Sequence, residues 1–236
     1  MPMIEGETEA LAGLRVLELG GDKGAYGAKI LADLGADVIK IEPPGGDPAR
    51  RVPPFAGDVP HAERSLRFLY RNTNKRGITL DVESHQGQSL LKRLVQTTDI
   101  LLESFPPGYL ESRGLGYAAM RELAPAVVWA SITDFGQSGP YRDYKGSDLV
   151  NFAMSGGMYA SGRPEAPPCL VPGSLAADCA ATYAGVAALV ALWNRNQGGD
   201  GQCGQYIEVS VQEAGLAALY PLSLIHISEP TRQAEI

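Results

Sequence analysis

Two hydrophobic rhythms alternate along this chain. Short unbroken apolar runs are separated by stretches whose apolar positions recur every three to four residues. Runs of the first kind predict buried strands, and the second kind predict amphipathic helices. Leu14–Leu19 reads as a strand, Gly20 and Gly21 open a loop, and Ala25–Leu34 reads as a helix closed by Gly35. Asp37–Glu42 is the next strand, so the opening is a β-α-β unit with parallel strands and a right-handed crossover. The prolines and glycines of 43–48 break regular structure, and a long polar loop is expected to about Arg64. Ile78–Val82 is predicted as a strand, Ser84 as the cap of a helix running to about Thr97, and Ile100–Glu103 and Ala126–Ile132 as further strands. A helix containing Met120–Leu123 lies between the last two. Asp148–Met158 and Leu175–Asn194 read as helices, the second apolar and central to the core. Gly198–Gly204 reads as a flexible turn, Tyr206–Val211 as a strand, and Gln212–Leu219 as the start of a last helix. The alternation predicts an α/β protein with a doubly wound, mostly parallel, Rossmann-like sheet.

With 236 residues, 44% of them hydrophobic, the chain is large enough for a substantial core. No segment is expected to reach the unbroken apolar length of a membrane helix. The acidic N-terminus, Met1-Pro2-Met3-Ile4-Glu5-Gly6-Glu7, lacks the basic and apolar regions of a signal peptide. A cytoplasmic location is expected, with no membrane partner. Cys169, Cys179 and Cys203 lack metal-ligand spacing and read as free thiols. A net charge of -7 argues against general nucleic-acid binding, but it leaves room for an anionic small ligand on a local basic patch.

One residue stands out chemically. Asp178 is a lone acid in the small, apolar run Ser174–Val186, with no Lys or Arg within four residues to pair with it along the helix. A buried carboxylate must be paired, neutralised or used, because burying a bare charge costs several kcal/mol or more. A helix N-terminus could keep it ionised. On local sequence alone, an acid serving only the helix dipole is the simpler reading.

Other chemistries find little support. A strand, a glycine loop, a helix and Glu42 suggest a dinucleotide site, but Gly20–Gly27 does not spell G-x-G-x-x-G, and Asp22 would face a pyrophosphate with like charge. His61 and His85 are not spaced as metal ligands, and no metal is expected. No G-x-S-x-G elbow and no phosphate loop is present.

Several blocks, taken in order, resemble family III CoA-transferases, the group that includes formyl-CoA and carnitine CoA-transferases. They are Leu31–Glu42 with Gly46–Arg50, Asn72–Arg76 with Leu80-Asp81, Glu103–Gly108, Gly114–Tyr117, Phe135–Pro140, Asp148–Val150, Ala177-Asp178 and Gly204–Val209. The resemblance implies the large domain of that family's fold, here truncated, over 10–221. It implies Asp178 as nucleophile in moving coenzyme A from an acyl-CoA to a small carboxylic acid, through an anhydride and an aspartyl-CoA thioester. No permanently bound cofactor is implied, since coenzyme A and acyl-CoA are substrates. Gly21, Asp22 and Lys23 fall where the family's first loop touches CoA, although the family's Ala-Gly-Pro stretch is missing there. Asn74, Lys75 and Arg76 fall in a block near the CoA cleft, and Lys145 matches a CoA-contacting position. Arg50, Arg51 and Arg142 are weaker candidates. Full-length members form interlocked homodimers.

Related 2-methylacyl-CoA racemases carry a histidine where this chain has Ser147, which favours transfer over racemisation. A racemase-like enzyme and an inactive CoA-binding fragment remain the alternatives. The tail Leu222–Arg232 resembles the translation of a DNA library adapter, so 222–236 is expected to be an artefact of sequencing. On that reading the 236-residue chain is an N-terminal fragment, and by itself it is expected to be inactive.

Overall fold

Six parallel strands form one sheet in the order β3-β2-β1-β4-β5-β6. They are β1 (Arg15–Leu19), β2 (Asp37–Glu42), β3 (Arg76–Thr79), β4 (Ile100–Glu103), β5 (Val128–Thr133) and β6 (Tyr206–Ser210). The helices are α1 (Ala25–Asp33), α2 (Leu66–Arg71), α3 (His85–Val95), α4 (Tyr117–Leu123), α5 (Asp148–Met154), α6 (Gly157–Ala160), α7 (Leu175–Asn196) and α8 (Val211–Ser228). This is a computed structural model, and it describes residues 9–163, 165–198 and 203–228. Most of the glycine turn expected after α7, residues 199–202, lies outside the described residues, as does 229–236 of the tail.

Both faces of the sheet are covered, which is why its inner strands are mostly apolar on both sides, with Glu18 of β1 and Lys40 of β2 entering the interior as a buried ion pair. On one face Val16, Val38, Ile100, Leu102, Val128 and Ile132 pack against α1 and α7. On the other, Leu17, Ile39, Leu101 and Trp129 pack against Leu91 and Val95 of α3 and Met120 of α4. The α1–α7 contact is unusually close. A Cβ built on Gly27 would stand 2.2 Å from the carbonyl oxygen of Ala181, so only glycine fits. The run of alanines around Asp178 therefore serves a backbone-to-backbone helix crossing, and that crossing fixes α7 over α1.

Several boundaries differ from those the pattern predicts. β3 starts at Arg76 rather than Ile78, and all four of its residues are exposed on the sheet edge. Leu80 and Val82, read as part of that strand, instead bury themselves beyond its end. The expected helix over 148–158 is two, because Gly156 adopts a left-handed φ of 84° between them. The polar loop after β2 is followed by α2, a short helix capped by Ser65, whose Oγ accepts the Phe68 N–H at 3.3 Å. α7 has the length and, at 1.7, the mean hydropathy of a membrane span, contrary to expectation. Half of that apolar window is buried, including Ala180, Ala184 and Ala188 against the core, while Val186, Val190 and Trp193 are exposed. Backbone helix continues through α8 to Ser228, past the start of the segment read as adapter-derived.

Candidate active site

The strand order reverses direction between β1 and β4, the place where open α/β sheets form a ligand crevice beyond the strands' carboxyl ends. Two loops meet there. Gly20 takes a φ of 90°, and the Gly21 N–H donates to Ser104 Oγ at 3.0 Å. Beside them opens a cavity of about 310 Å3, walled also by Phe105, Pro106 and Tyr109. Glu103, the last residue of β4, is buried below the second loop. Its Oε2 accepts the Phe105 N–H at 2.8 Å, and burial pushes its carboxyl up to about 7.

A second cavity, of about 440 Å3, adjoins the same Phe105-Pro106 wall and holds Lys23, Arg142, Tyr144 and Lys145. Two of the expected coenzyme contacts, Lys23 and Lys145, are thus brought together with Arg142. Lys23 Nζ lies 2.7 Å from Asp134, and Arg142 pairs with the exposed Asp143 at 3.1 Å.

Asp178 opens on neither cavity. It sits in the first turn of α7, its N–H donating to the Ser174 carbonyl at 2.8 Å, and its carboxylate faces a groove of about 510 Å3. Tyr26, Tyr70, Cys179 and Tyr183 line that groove, and the rings of Tyr26 and Tyr70 stack at 6.3 Å. The carboxylate is paired after all, across the fold. Arg71 Nη2 lies 2.7 Å from Oδ1 and donates to Oδ2 at 2.8 Å. Arg71 Nη1 donates to Asp22 at 2.9 Å, and Arg67 Nε reaches the same Asp22 oxygen at 2.6 Å. Arg67 Nη2 also donates to Ser174 Oγ at 2.6 Å, tying α2 to the start of α7.

Burial raises the Asp178 carboxyl above its ordinary value, with Arg71 pulling the other way and Asp22 adding to the rise. Asp148 is raised by burial as well, and its Oδ1 accepts the Ala177 N–H at 3.3 Å. Ser147 caps α5 by accepting the Val150 N–H at 3.3 Å, so the position occupied by histidine in racemases is structural here. His61 and His85 are both exposed, and neither lines the groove.

The remaining expected contacts are placed elsewhere. Lys75 does not reach a cleft: its side chain is 2% exposed and donates to Glu18 at 2.6 Å, the Ala25 carbonyl at 2.8 Å and Asn72 at 2.9 Å. Burial lowers its ammonium to about 8 despite the pull of Glu18. Lys40 donates to the other Glu18 oxygen at 2.8 Å, so one buried carboxylate holds two lysines beneath α1. Arg76 forks onto Asp37 at 2.8 and 2.6 Å, on the first residues of two neighbouring strands and therefore at the sheet's opposite end. Asn74 turns with a φ of 61° and donates to Asp33 at the end of α1. Asp22 is paired with Arg67 and Arg71. Arg50 is held by Glu42 at 2.7 and 2.8 Å, and Arg51 by the Gly45 carbonyl at 3.2 Å. Gly21 lines the first cavity, and Lys23, Arg142 and Lys145 line the second.

Arg67 and Arg71 are the site residues that sequence reasoning missed. Looking for a partner of Asp178 only along its own helix could not find them. The signal available was Ser65 as a cap followed by two arginines four residues apart, which places both on one face of a short helix.

Residues 11–235 match the family model described as CoA-transferase family III. The chain is 39% identical over 205 residues to a succinyl-CoA:(R)-benzylsuccinate CoA-transferase subunit of Thauera aromatica, covering 87% of this chain and 49% of that protein. It is 40% identical over 208 residues to a succinyl-CoA–D-citramalate CoA-transferase of Chloroflexus aurantiacus, covering 87% and 50%. Among solved structures, a CAIB/BAIF family protein from Brucella suis superimposes with a TM-score of 0.86 at 33% identity, covering 95% of this chain and 59% of that one. The chain spans about half the length of the curated relatives it matches. It belongs to CoA-transferase family III.

Proposed function

We propose that the protein transfers coenzyme A from an acyl-CoA donor to a small carboxylic acid, with Asp178 as the nucleophile. The observation that carries this reading is the setting of Asp178. It is a carboxylate at a helix N-terminus, held on one side by a buried arginine and open on the other to a groove. A carboxylate can attack a thioester only if it is ionised and reachable. The N-terminal end of α7 and Arg71 favour the charge, and the groove gives access.

The chemistry proceeds by two exchanges. An Asp178 oxygen attacks the thioester carbon, the carbon–sulfur bond breaks, and CoA thiolate leaves a mixed anhydride. The thiolate then attacks the aspartyl carbonyl carbon, and the donor acid departs as its carboxylate, leaving an aspartyl-CoA thioester. An acceptor carboxylate reverses both steps. Thioester energy is retained throughout, so no separate energy source is needed. An anhydride is destroyed by water, so the chemistry requires the site to be covered while the intermediate exists.

The names of the relatives, which include transferases acting from succinyl-CoA, support an acyl-CoA and a small acid as the substrate pair. Lys23, Arg142 and Lys145 supply positive charge in one cavity beside the crevice between β1 and β4, and we assign them, with the Gly21 backbone, to the coenzyme's phosphate-bearing part. The test uses the protein at the length of its curated relatives. Incubation with acyl-CoA followed by borohydride should convert the Asp178 side chain to the alcohol, read by peptide mass spectrometry. An Asp178→Ala variant should lose turnover. Unmodified Asp178, or full turnover without it, would remove the reading.

A further inference from the structure

The proposed two-exchange chemistry calls for an oxyanion at an unusual place, the carboxyl carbon of Asp178 itself. When thiolate adds to the acylated side chain, the aspartyl carbonyl oxygen takes the negative charge of a tetrahedral adduct. That oxygen needs a donor that is already in position. Resting on the reading of Asp178 as nucleophile, we propose that Arg71 is a catalytic residue, its Nη2 group donating to the oxyanion that forms on the aspartyl carbon.

The geometry is specific. Nη2 lies 2.7 Å from Oδ1 and 2.8 Å from Oδ2, so it straddles both oxygens of the nucleophile. Whichever oxygen acquires the acyl group, the other remains a carbonyl oxygen within hydrogen-bond reach of the same nitrogen. Nothing has to move for the donor to serve the adduct.

The surroundings fit the role. Arg71 is 5% exposed, so its charge is poorly screened by water. Its Nη1 is held on Asp22 at 2.9 Å, and Asp22 is itself gripped by Arg67, so the guanidinium is fixed from behind. In the resting enzyme the Asp178 carboxylate balances Arg71. Acylation neutralises that carboxylate and leaves the guanidinium short of one anion. The oxyanion restores it. The interaction therefore strengthens on the way to the adduct, which is the condition for lowering a barrier rather than merely binding. In the step itself the sulfur–carbon bond forms, the electron pair of the carbonyl moves to oxygen next to Arg71, and collapse expels the donor carboxylate. One anion enters and one leaves, and no oxidant or reductant is involved.

The experiment uses the protein at the length of its curated relatives, with Arg71→Met and Arg71→Lys variants checked for fold by circular dichroism and for coenzyme A binding by calorimetry. We expect kcat for Arg71→Met to fall on the order of 100-fold or more, as for loss of one oxyanion donor, with KM for acyl-CoA within about threefold. Arg71→Lys, which restores a positive charge without the fixed fork, should recover about tenfold of that loss and leave kcat about tenfold below wild type. Unchanged kcat in Arg71→Met, or a rise in KM at constant kcat, would overturn the proposal while leaving Asp178 as nucleophile. Should Arg71→Met fail to fold, Arg71→Lys decides alone: a kcat loss at steady KM supports the role, and wild-type kcat refutes it. Borohydride labelling of wild-type Asp178 runs alongside, and its failure would remove the nucleophile reading itself.

Discussion

Replacing Glu103 by glutamine tests whether a buried acid under the crevice shapes the protein's response to pH. Glu103 is 5% exposed, accepts the Phe105 N–H at 2.8 Å, and lies beside Ser131 and Trp129. Burial raises its carboxyl from the ordinary 4.5 to about 7, and the negative charge of Glu111 adds to the rise. At about 1.4 kcal/mol for each pKa unit, that displacement corresponds to about 3 kcal/mol. The sign follows from proton binding. The folded protein holds this proton more tightly than the unfolded chain, so the stabilisation is complete below about pH 4.5 and is lost as pH rises to about 7. Glutamine keeps the acceptor for the Phe105 N–H and cannot ionise. Urea unfolding of the wild type and Glu103→Gln, each at about pH 5 and about pH 8, isolates this group from all other titrations. Since part of the stabilisation is already lost at about pH 5, the variant should gain about 2 to 3 kcal/mol on the wild type between the two conditions. Parallel pH dependences would show that Glu103 is not a buried neutral acid, and the reasoning would fail.

Gly27→Ala should lower the melting temperature and cost about 1–3 kcal/mol in denaturant titrations, because its methyl group would meet the Ala181 carbonyl at 2.2 Å. A neutral result would mean that the α1–α7 crossing is looser than described. Lys75→Ala should destabilise by about 3–5 kcal/mol, since it removes one of two cations from Glu18, which is 1% exposed. Arg76→Ala should cost less than about 1 kcal/mol, since its pair with Asp37 is exposed. Comparable losses for the two variants would contradict the placement of Lys75 in the interior.

Much of the architecture is legible in the residues because both sheet faces are covered. Ile100–Glu103 is buried throughout, Asp37–Glu42 keeps enough buried apolar residues around Lys40 to read as a strand, and the limits of both runs coincide with the strands observed. β3 is less legible because it is an exposed edge whose apolar neighbours, Leu80 and Val82, are buried outside the ladder. The site divides in the same way. Asp178 announces itself as an acid among alanines. Its partner is 107 residues earlier in the chain, on a helix of six residues, and no local pattern links them. Lys75 misleads for a related reason. By resemblance it falls with Arg76 in a block near the coenzyme cleft, yet only Arg76 is exposed, because Glu18 and Lys40 on neighbouring strands build an ionic interior into which Lys75 reaches. Pairing across strands cannot be read from spacing along one of them.

The most direct test of the central claim follows oxygen atoms. The protein, at the length of its curated relatives, turns over unlabelled acyl-CoA with an acceptor acid carrying heavy oxygen in both carboxylate positions. If Asp178 forms the anhydride, one heavy oxygen passes to its side chain, and the peptide containing Asp178 gains that mass after repeated turnover. Heavy oxygen retained entirely by the acceptor and its CoA ester, with Asp178 unlabelled, would contradict the account.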